Sequence, residues 1–376
     1  MSKFQHTERG QALVIMVFGF VVLLAVLGLA IDGGAVLLDR RRMQNAADAA
    51  SLAGARKLAE AICDAEGVDD AAIVAQVNLY AMRNGVVDPQ NNVVADYVEF
   101  DGETPVALGR VGSGSIPTGA TAISTSVEIS RSTYFIALLG INTTNIPASA
   151  LGVTSPPLVA GGLRPFGVPL QVIQALDPSD PANNWFTISF KHDGGDITWA
   201  GSNIAQHRGW MNVGYVWNQR ENPDFPRAID ESANAAILKE WMENGWQGVL
   251  YADCLWDDDC RTGDYIHSKP GTNSSAVCAA PENTLIYIPI YDQLPSCATE
   301  VPDPKPDCPT QGSGDVYHIV GFGGVKITDC KQGQGEITAE VVKTIMGEGV
   351  PSFGLGTGYG EARACEMYTQ IVTLWQ

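Results

Sequence analysis

Between Gly10 and Ile31 the chain carries no charge, and the 20 residues from Ala12 to Ile31 are all apolar or small. At about 1.5 Å of rise per residue, a helix of that length covers roughly 30 Å, the thickness of a hydrocarbon core. A buried helix of a soluble protein keeps a polar stripe on its outer side. This segment has none, so it is expected to cross a membrane once. Gly28-Leu29-Ala30 carries the small residues that a signal peptidase needs. The apolar run nevertheless exceeds the ~7–15 residues of a secretory h-region. The expectation is a retained anchor: residues 1–11 a cytoplasmic tail, residues 12–31 the span.

Orientation rests on the cysteines. Lys3 and Arg9 precede the span while Arg40, Arg41 and Arg42 follow it, so basic residues alone favour the reverse direction slightly. Cys63 stands apart, whereas Cys254, Cys260, Cys278, Cys297, Cys308, Cys330 and Cys365 crowd into the last 123 residues. None forms the C-x2-C pair of a zinc site. Clustered cysteines in a Gly- and Pro-rich segment read as disulfides of an oxidising compartment. The C-terminal region is therefore expected outside the cytoplasm. Cys254 with Cys260 and Cys297 with Cys308 flank short turn-like stretches. Cys330 with Cys365 is then the expected long-range pair, leaving Cys278 and Cys63 over. Asp and Glu outnumber Lys and Arg by 42 to 23, a net charge of −19. That charge is repelled by phosphate backbones, and no nucleic-acid partner is expected.

Helix-forming sequence continues past the membrane to about Ala65, which makes Leu13–Ala65 a rod of about 80 Å. Ala46, Ala49, Ala50 and Ala53 recur at i, i+3, i+4 and i+7 and share one face. Such small residues let another helix approach closely. A second helix is expected over 70–83, ended by Asn84-Gly85. Strands follow over 93–100 and 121–130, then a short helix over 134–140 closed by Gly140, and a third strand near 146–153. Residues 156–165 read as a linker. Beyond it, strands are expected over 186–190, 284–291 and 316–322, with a helix over 231–244. The fold class is α+β. A single N-terminal transmembrane helix continues into a long helix, followed by a small α+β region (32–155) and a β-rich, disulfide-bearing extracytoplasmic domain (166–376).

Arg9-Gly-Gln-Ala-Leu-Val14, the apolar span, Leu29-Ala-Ile-Asp-Gly-Gly34 and Arg41-Arg-Met-Gln-Asn-Ala-Ala-Asp-Ala-Ala50 follow one another here. This series resembles the N-terminal region of TadG-like Flp (tight-adherence) pilus-assembly proteins, with Met43 where Leu is usual. Val127 to Ile141, ending in Ala148-Ser-Ala150, is similar to the family's strand-plus-short-helix element. The resemblance, over about 8–155, implies a single-pass, non-enzymatic cell-membrane protein in assembly or anchoring of a thin adhesive pilus. It implies other pilus-assembly proteins as partners of the N-terminal helix. The D-x-S-x-S metal motif of some relatives does not occur here, so their metal is not carried over. Position 15, where processed substrates of this system carry Glu, is Ile15.

Neither catalytic nor cofactor-binding residues emerge. There is no G-x-S-x-G elbow. His318 in a strand, with one of the cysteines, is the nearest approach to a hydrolase pair. Asp253, Asp257, Asp258 and Asp259 offer carboxylates to a hard cation, but without the spacing of a calcium loop. Trp185, Trp199, Trp210, Trp217, Trp241, Trp246 and Trp256 leave open a platform for a surface or glycan ligand, against core packing as the commoner use. The rival to a pilus-assembly role is thus a membrane-tethered adhesin or ligand-binding module on the same anchor.

Overall fold

A computed structural model describes residues 9–61, 69–100, 104–190, 196–199, 201–204, 210–217, 233–252, 265–269, 274–293, 316–346, 350–351 and 369–375. The first element, α1 (Arg9–Ala61), is one continuous helix of 53 residues, about 80 Å long. Its two halves differ. From Leu13 to Ile31 the large apolar side chains face outward, Phe18, Leu23 and Leu29 among them. From Met43 onward, Met43, Ala46, Ala47, Ala50, Ser51, Ala55 and Leu58 are buried.

The partners of that second half are α2 (Asp70–Arg83) and an antiparallel sheet. Asp69 starts α2 as its N-cap, its carboxylate accepting from the Ala72 amide at 2.8 Å. At the other end, Gly85 takes φ +96° and the Val86 amide bonds back to the Ala81 carbonyl. One turn, α3 (Pro89–Asn92), leads into β1 (Val93–Glu99), β2 (Val106–Arg110) and β3 (Ala122–Ser132). A 3-10 turn (Ile136–Leu139), closed by Gly140 at φ +90°, connects β3 to β4 (Thr143–Ser155). β3 alternates as a half-buried strand should: Ile123, Thr125 and Val127 point into the α1–α2 layer.

The rest of the chain comprises β5 (Pro157–Gly161), β6 (Val168–Pro169), α4 (Leu170–Ala175), β7 (Trp185–Ser189), β8 (Ile197–Trp199), β9 (Ser202–Ile204) and β10 (Trp210–Trp217). There follow α5 (Ala235–Asn244), β11 (Val249–Tyr251), β12 (Tyr265–Lys269), α6 (Ser274–Val277), β13 (Leu285–Gln293) and β14 (Val316–Lys331). Last come β15 (Glu336–Val342), β16 (Thr344–Met346), β17 (Val350–Pro351) and β18 (Thr369–Trp375). A nine-stranded sheet runs β10-β12-β14-β15-β7-β8-β9, with β13 on β14 and β6 on β13. The long β14 gives one edge to β13 and the other first to β12, then to β15. Its core holds Phe166, Phe190 and Trp210, the last two stacked with ring centroids 4.2 Å apart. The α+β class with its β-rich second region is thus the observed architecture.

Three expectations change. The segment expected as a linker contains β5, which pairs with both β11 and β17 in a three-stranded sheet. The turn-like composition at Pro156-Pro157 and Gly161-Gly162 marks the ends of a strand there. The chain also does not divide in sequence order. β18 returns to pair with β4, and β16 pairs with β18, so the N-terminal sheet reads β16-β18-β4-β3-β1-β2. The Lys343 ammonium donates to the Glu60 carbonyl at 2.7 Å, and Thr154 bonds Gln370 at 3.1 Å, across the same join.

The third change concerns Cys330, which pairs with Cys278, at a Cα–Cα distance of 5.6 Å, and not with Cys365. The physical reason is the β13–β14 register. Leu285 lies opposite Lys326, and the Asn283 amide bonds to the Ile327 carbonyl. The chain leading into β13 therefore runs beside the end of β14 and delivers Cys278 to Cys330. Cys63, Cys254, Cys260, Cys297, Cys308 and Cys365 lie outside the described residues.

Candidate functional site

The membrane-proximal end of the folded region is built on α1. Asp32 follows the apolar span directly and is buried. Its carboxylate accepts three backbone bonds from the 3-10 turn: from the amides of Tyr134 at 3.1 Å, Phe135 at 2.8 Å and Ile136 at 2.8 Å. Those amides begin a helical turn and have no partners within it, so a carboxylate satisfies them as an N-cap would. One turn earlier, Gly28 is in contact with Phe135. A β-carbon there would stand 2.7 Å from Phe135 Cβ and Cγ, closer than such contacts allow. Two turns further on, Asp39 pairs with Arg131 of β3. Gly28, Asp32 and Asp39 thus clamp the β3–β4 connection to the spine at three successive levels.

The packing face sits slightly off the one expected. Ala46 and Ala50 are buried, as the spacing implied, while Ala49 and Ala53 are only half-buried. The buried stripe runs through 43, 46, 47, 50, 51, 54, 55 and 58. Alanines surround this helix on several sides, so composition could not place the stripe's centre. The larger Met43 and Leu58 mark it. At Gly54 the stripe meets Val77 and Ile123, and Ser51 lies directly against the backbone of Gly152 in β4. The surface it meets is α2 plus the chain's own sheet, rather than another helix alone.

A second carboxylate organises the far end of this layer. Asp70, buried at the start of α2, accepts from the Gly112 amide at 2.7 Å, the Gly114 amide at 2.5 Å and the Tyr97 hydroxyl at 2.7 Å. Burial pushes its carboxyl up, but the bonds from Gly112, Gly114 and Tyr97 outweigh that and leave it below the ordinary carboxylate value. Tyr97 moves the other way: burial first, then its bond to the Asp70 carboxylate, hold its hydroxyl well above the usual tyrosine range. Asp32 enters the sequence reading only as part of the Leu29-Ala-Ile-Asp-Gly-Gly34 stretch and Asp70 only as a helix start, and neither is expected there as an organising carboxylate. The available signal was a charge set where charge is costly, directly after an apolar span in one case and at a helix start in the other.

The other candidates do not converge. Trp210, Trp241 and Trp246 are buried in the core of the second region, so the tryptophans do not share one exposed platform; Trp185 and Trp199 remain partly open. Trp256 and the carboxylates Asp253, Asp257, Asp258 and Asp259 lie outside the described residues. His318 is buried within β14. The two described cysteines, Cys278 and Cys330, are bonded to each other and offer it no thiol.

Among the described residues one helix is long and apolar enough to cross a membrane; bare along its first half and packed on a sheet along its second, this candidate single-pass anchor is also the spine of the folded region. Residues 10–57, nearly the whole of that helix, match the model of the Flp pilus-assembly TadE/G-like family. The matched stretch includes Gly28, Asp32, Asp39 and the buried stripe as far as Ala55. A search of curated proteins and one of solved structures find no match to the chain.

Proposed function

We propose that the protein is a structural, membrane-anchored component in assembly or anchoring of a Tad/Flp-type pilus, with its N-terminus in the cytoplasm and its folded regions outside. The observation that carries the reading is the coincidence of the family match with α1. The matched residues are those that make one helix serve both as anchor and as spine. Partner pilus-assembly proteins would meet the outward-facing half of α1, where Gly19 has no neighbour within 4 Å among the described residues. Retention of the anchor is supported by the continuity of α1 through Ala30 and by the contact of Phe135 with Gly28, which cleavage after Ala30 would remove. The outward orientation draws support from the Cys278–Cys330 disulfide. The three arginines just beyond the span weigh slightly the other way, and the disulfide is taken to outweigh them.

Deletion of the gene should abolish surface filaments in electron micrographs, with restoration by the full-length chain. Filaments in undiminished number would overturn the assembly role. A periplasmic reporter fused after Gln376 should be active and a cytosolic one silent; the reverse would invert the topology.

A further inference from the structure

From Gly10 to Leu38 the chain carries a single charge, Asp32. That carboxylate is 3% exposed and fully engaged by the amides of residues 134–136. What faces outward around it is apolar. On α1, Ile31, Leu37 and Leu38 are exposed; beside them stand Tyr134 at 66%, Phe135 at 41%, Leu138 at 85% and Ile141 at 52% exposure. Large apolar side chains bared together in one short connection mark a contact surface.

The height of this connection along α1 decides what it touches. Gly28, against which Phe135 packs, lies three residues inside the end of the apolar span, about 4.5 Å of helix rise. Asp32, which binds the amides of residues 134–136, lies one residue beyond that end, about 1.5 Å. The headgroup layer on each side of a bilayer is about 5–8 Å deep. The connection is therefore held level with the boundary between acyl chains and headgroups. The first outward charges above it are those of Arg40 and Arg41, since Asp39 is paired with Arg131.

We propose that Tyr134, Phe135, Leu138 and Ile141 form a second membrane contact, a short wedge lying in the interfacial layer of the leaflet from which α1 emerges. An aromatic with a polar tip beside bare Leu and Ile side chains is the composition that such a layer favours. Asp32 is the positioning residue. It satisfies the amides that would otherwise be unbonded at membrane depth, and its own charge is turned away from lipid. The wedge fixes the tilt and rotation of the folded region over the membrane, which a single helix alone leaves free. The inference rests on the reading of α1 as a retained membrane span.

The test uses the full chain reconstituted into vesicles of phosphatidylethanolamine and phosphatidylglycerol, with a photoreactive benzophenone amino acid replacing Leu138. The same replacement at Leu24, inside the span, and at Ser113, in an exposed turn of the β2–β3 connection, gives the two references. Leu138 is too exposed for the change to disturb packing, and unchanged thermal unfolding checks this. After irradiation, mass spectrometry should find phospholipid adducts at 138 comparable to those at 24 and at least about tenfold above those at 113, where no acyl chain reaches. Adducts at 24 but none above the 113 level at 138 would overturn the wedge and leave the span standing. Crosslinks from 138 to a second copy of the chain in place of lipid would overturn it equally. Absence of lipid adducts at 24 would refute the span and the wedge with it.

Discussion

Gly152 is where the spine and the sheet approach most closely, and a single methyl group tests that approach. A β-carbon on Gly152 would stand 2.6 Å from the Ser51 carbonyl carbon and 3.0 Å from the Leu52 amide nitrogen. Both are backbone atoms in the middle of a helix, so no side chain can swing aside. Ordinary carbon contacts lie near 3.5–4.0 Å, so Gly152→Ala requires α1 and β4 to part by about 1 Å. If on the order of 30 atom pairs around the crossing each lose about a third of ~0.15 kcal/mol, the cost is about 1.5 kcal/mol. Strain from overpacking adds about 1–3 kcal/mol, and the stiffer unfolded chain returns about 0.4–1 kcal/mol. The expected net loss is about 1.5–4 kcal/mol. Pulse proteolysis across a urea series, with the full chain in detergent micelles, measures it. Gly34→Ala is the reference: that helical glycine has nothing within 4 Å of a built β-carbon, and the change should stabilise by about 0.5–1 kcal/mol. If the two variants fall within about 0.5 kcal/mol of each other, the resolution expected for such ΔΔG values, backbone-to-backbone contact at Ser51 is not what holds spine and sheet together.

Three further outcomes are expected. Because the Asp70 carboxyl is depressed in the folded state, its contribution should be complete above the unfolded value near 3.9 and vanish as pH falls through the lower folded value. Asp70→Asn should therefore cost about 2 kcal/mol at neutral pH and flatten the acid limb of the urea midpoint curve, and limbs that fall in parallel would refute this. Cys278→Ser, Cys330→Ser and the double variant should destabilise the second region equally, by about 4 kcal/mol in the chain-entropy model for the 52-residue separation. A non-reducing peptide map joining Cys330 to Cys365 would contradict the pairing. Removing residues 369–376 should expose β4 as a sheet edge and speed limited proteolysis within 93–155; an unchanged digest would mean that the sheet closes without β18.

The family match adds weight to the description of α1 and none to the rest, because it ends at residue 57. Everything that distinguishes the protein beyond its anchor lies in the way the later strands are arranged. That arrangement bears on function through the join between the two sheets. The Lys343–Glu60 bond and the β4–β18 pairing tie the second region to the spine itself.

Local chemistry was enough for the elements whose cause is local. The charge-free run announces the span, and Asp69 and Gly85 bracket α2 because capping involves only neighbouring residues. Alternation in 93–99 and 122–132 shows as strands, since burying one face imposes a period of two. What depends on distant partners was invisible. Nothing near Thr369 says that it closes a sheet begun at Val93, because strand pairing is a choice among edges that look alike in sequence. The linker-like 157–161 becomes a strand only when β11 and β17 arrive on either side. Cys330 finds Cys278 through the register of a hairpin, which no cysteine spacing encodes. Asp32 shows the division most plainly. The sequence alone sets a charge at the edge of a membrane span, where it would be costly if left bare. The tertiary structure supplies three amides from a turn 102–104 residues away, which bury that charge and hold the turn in place.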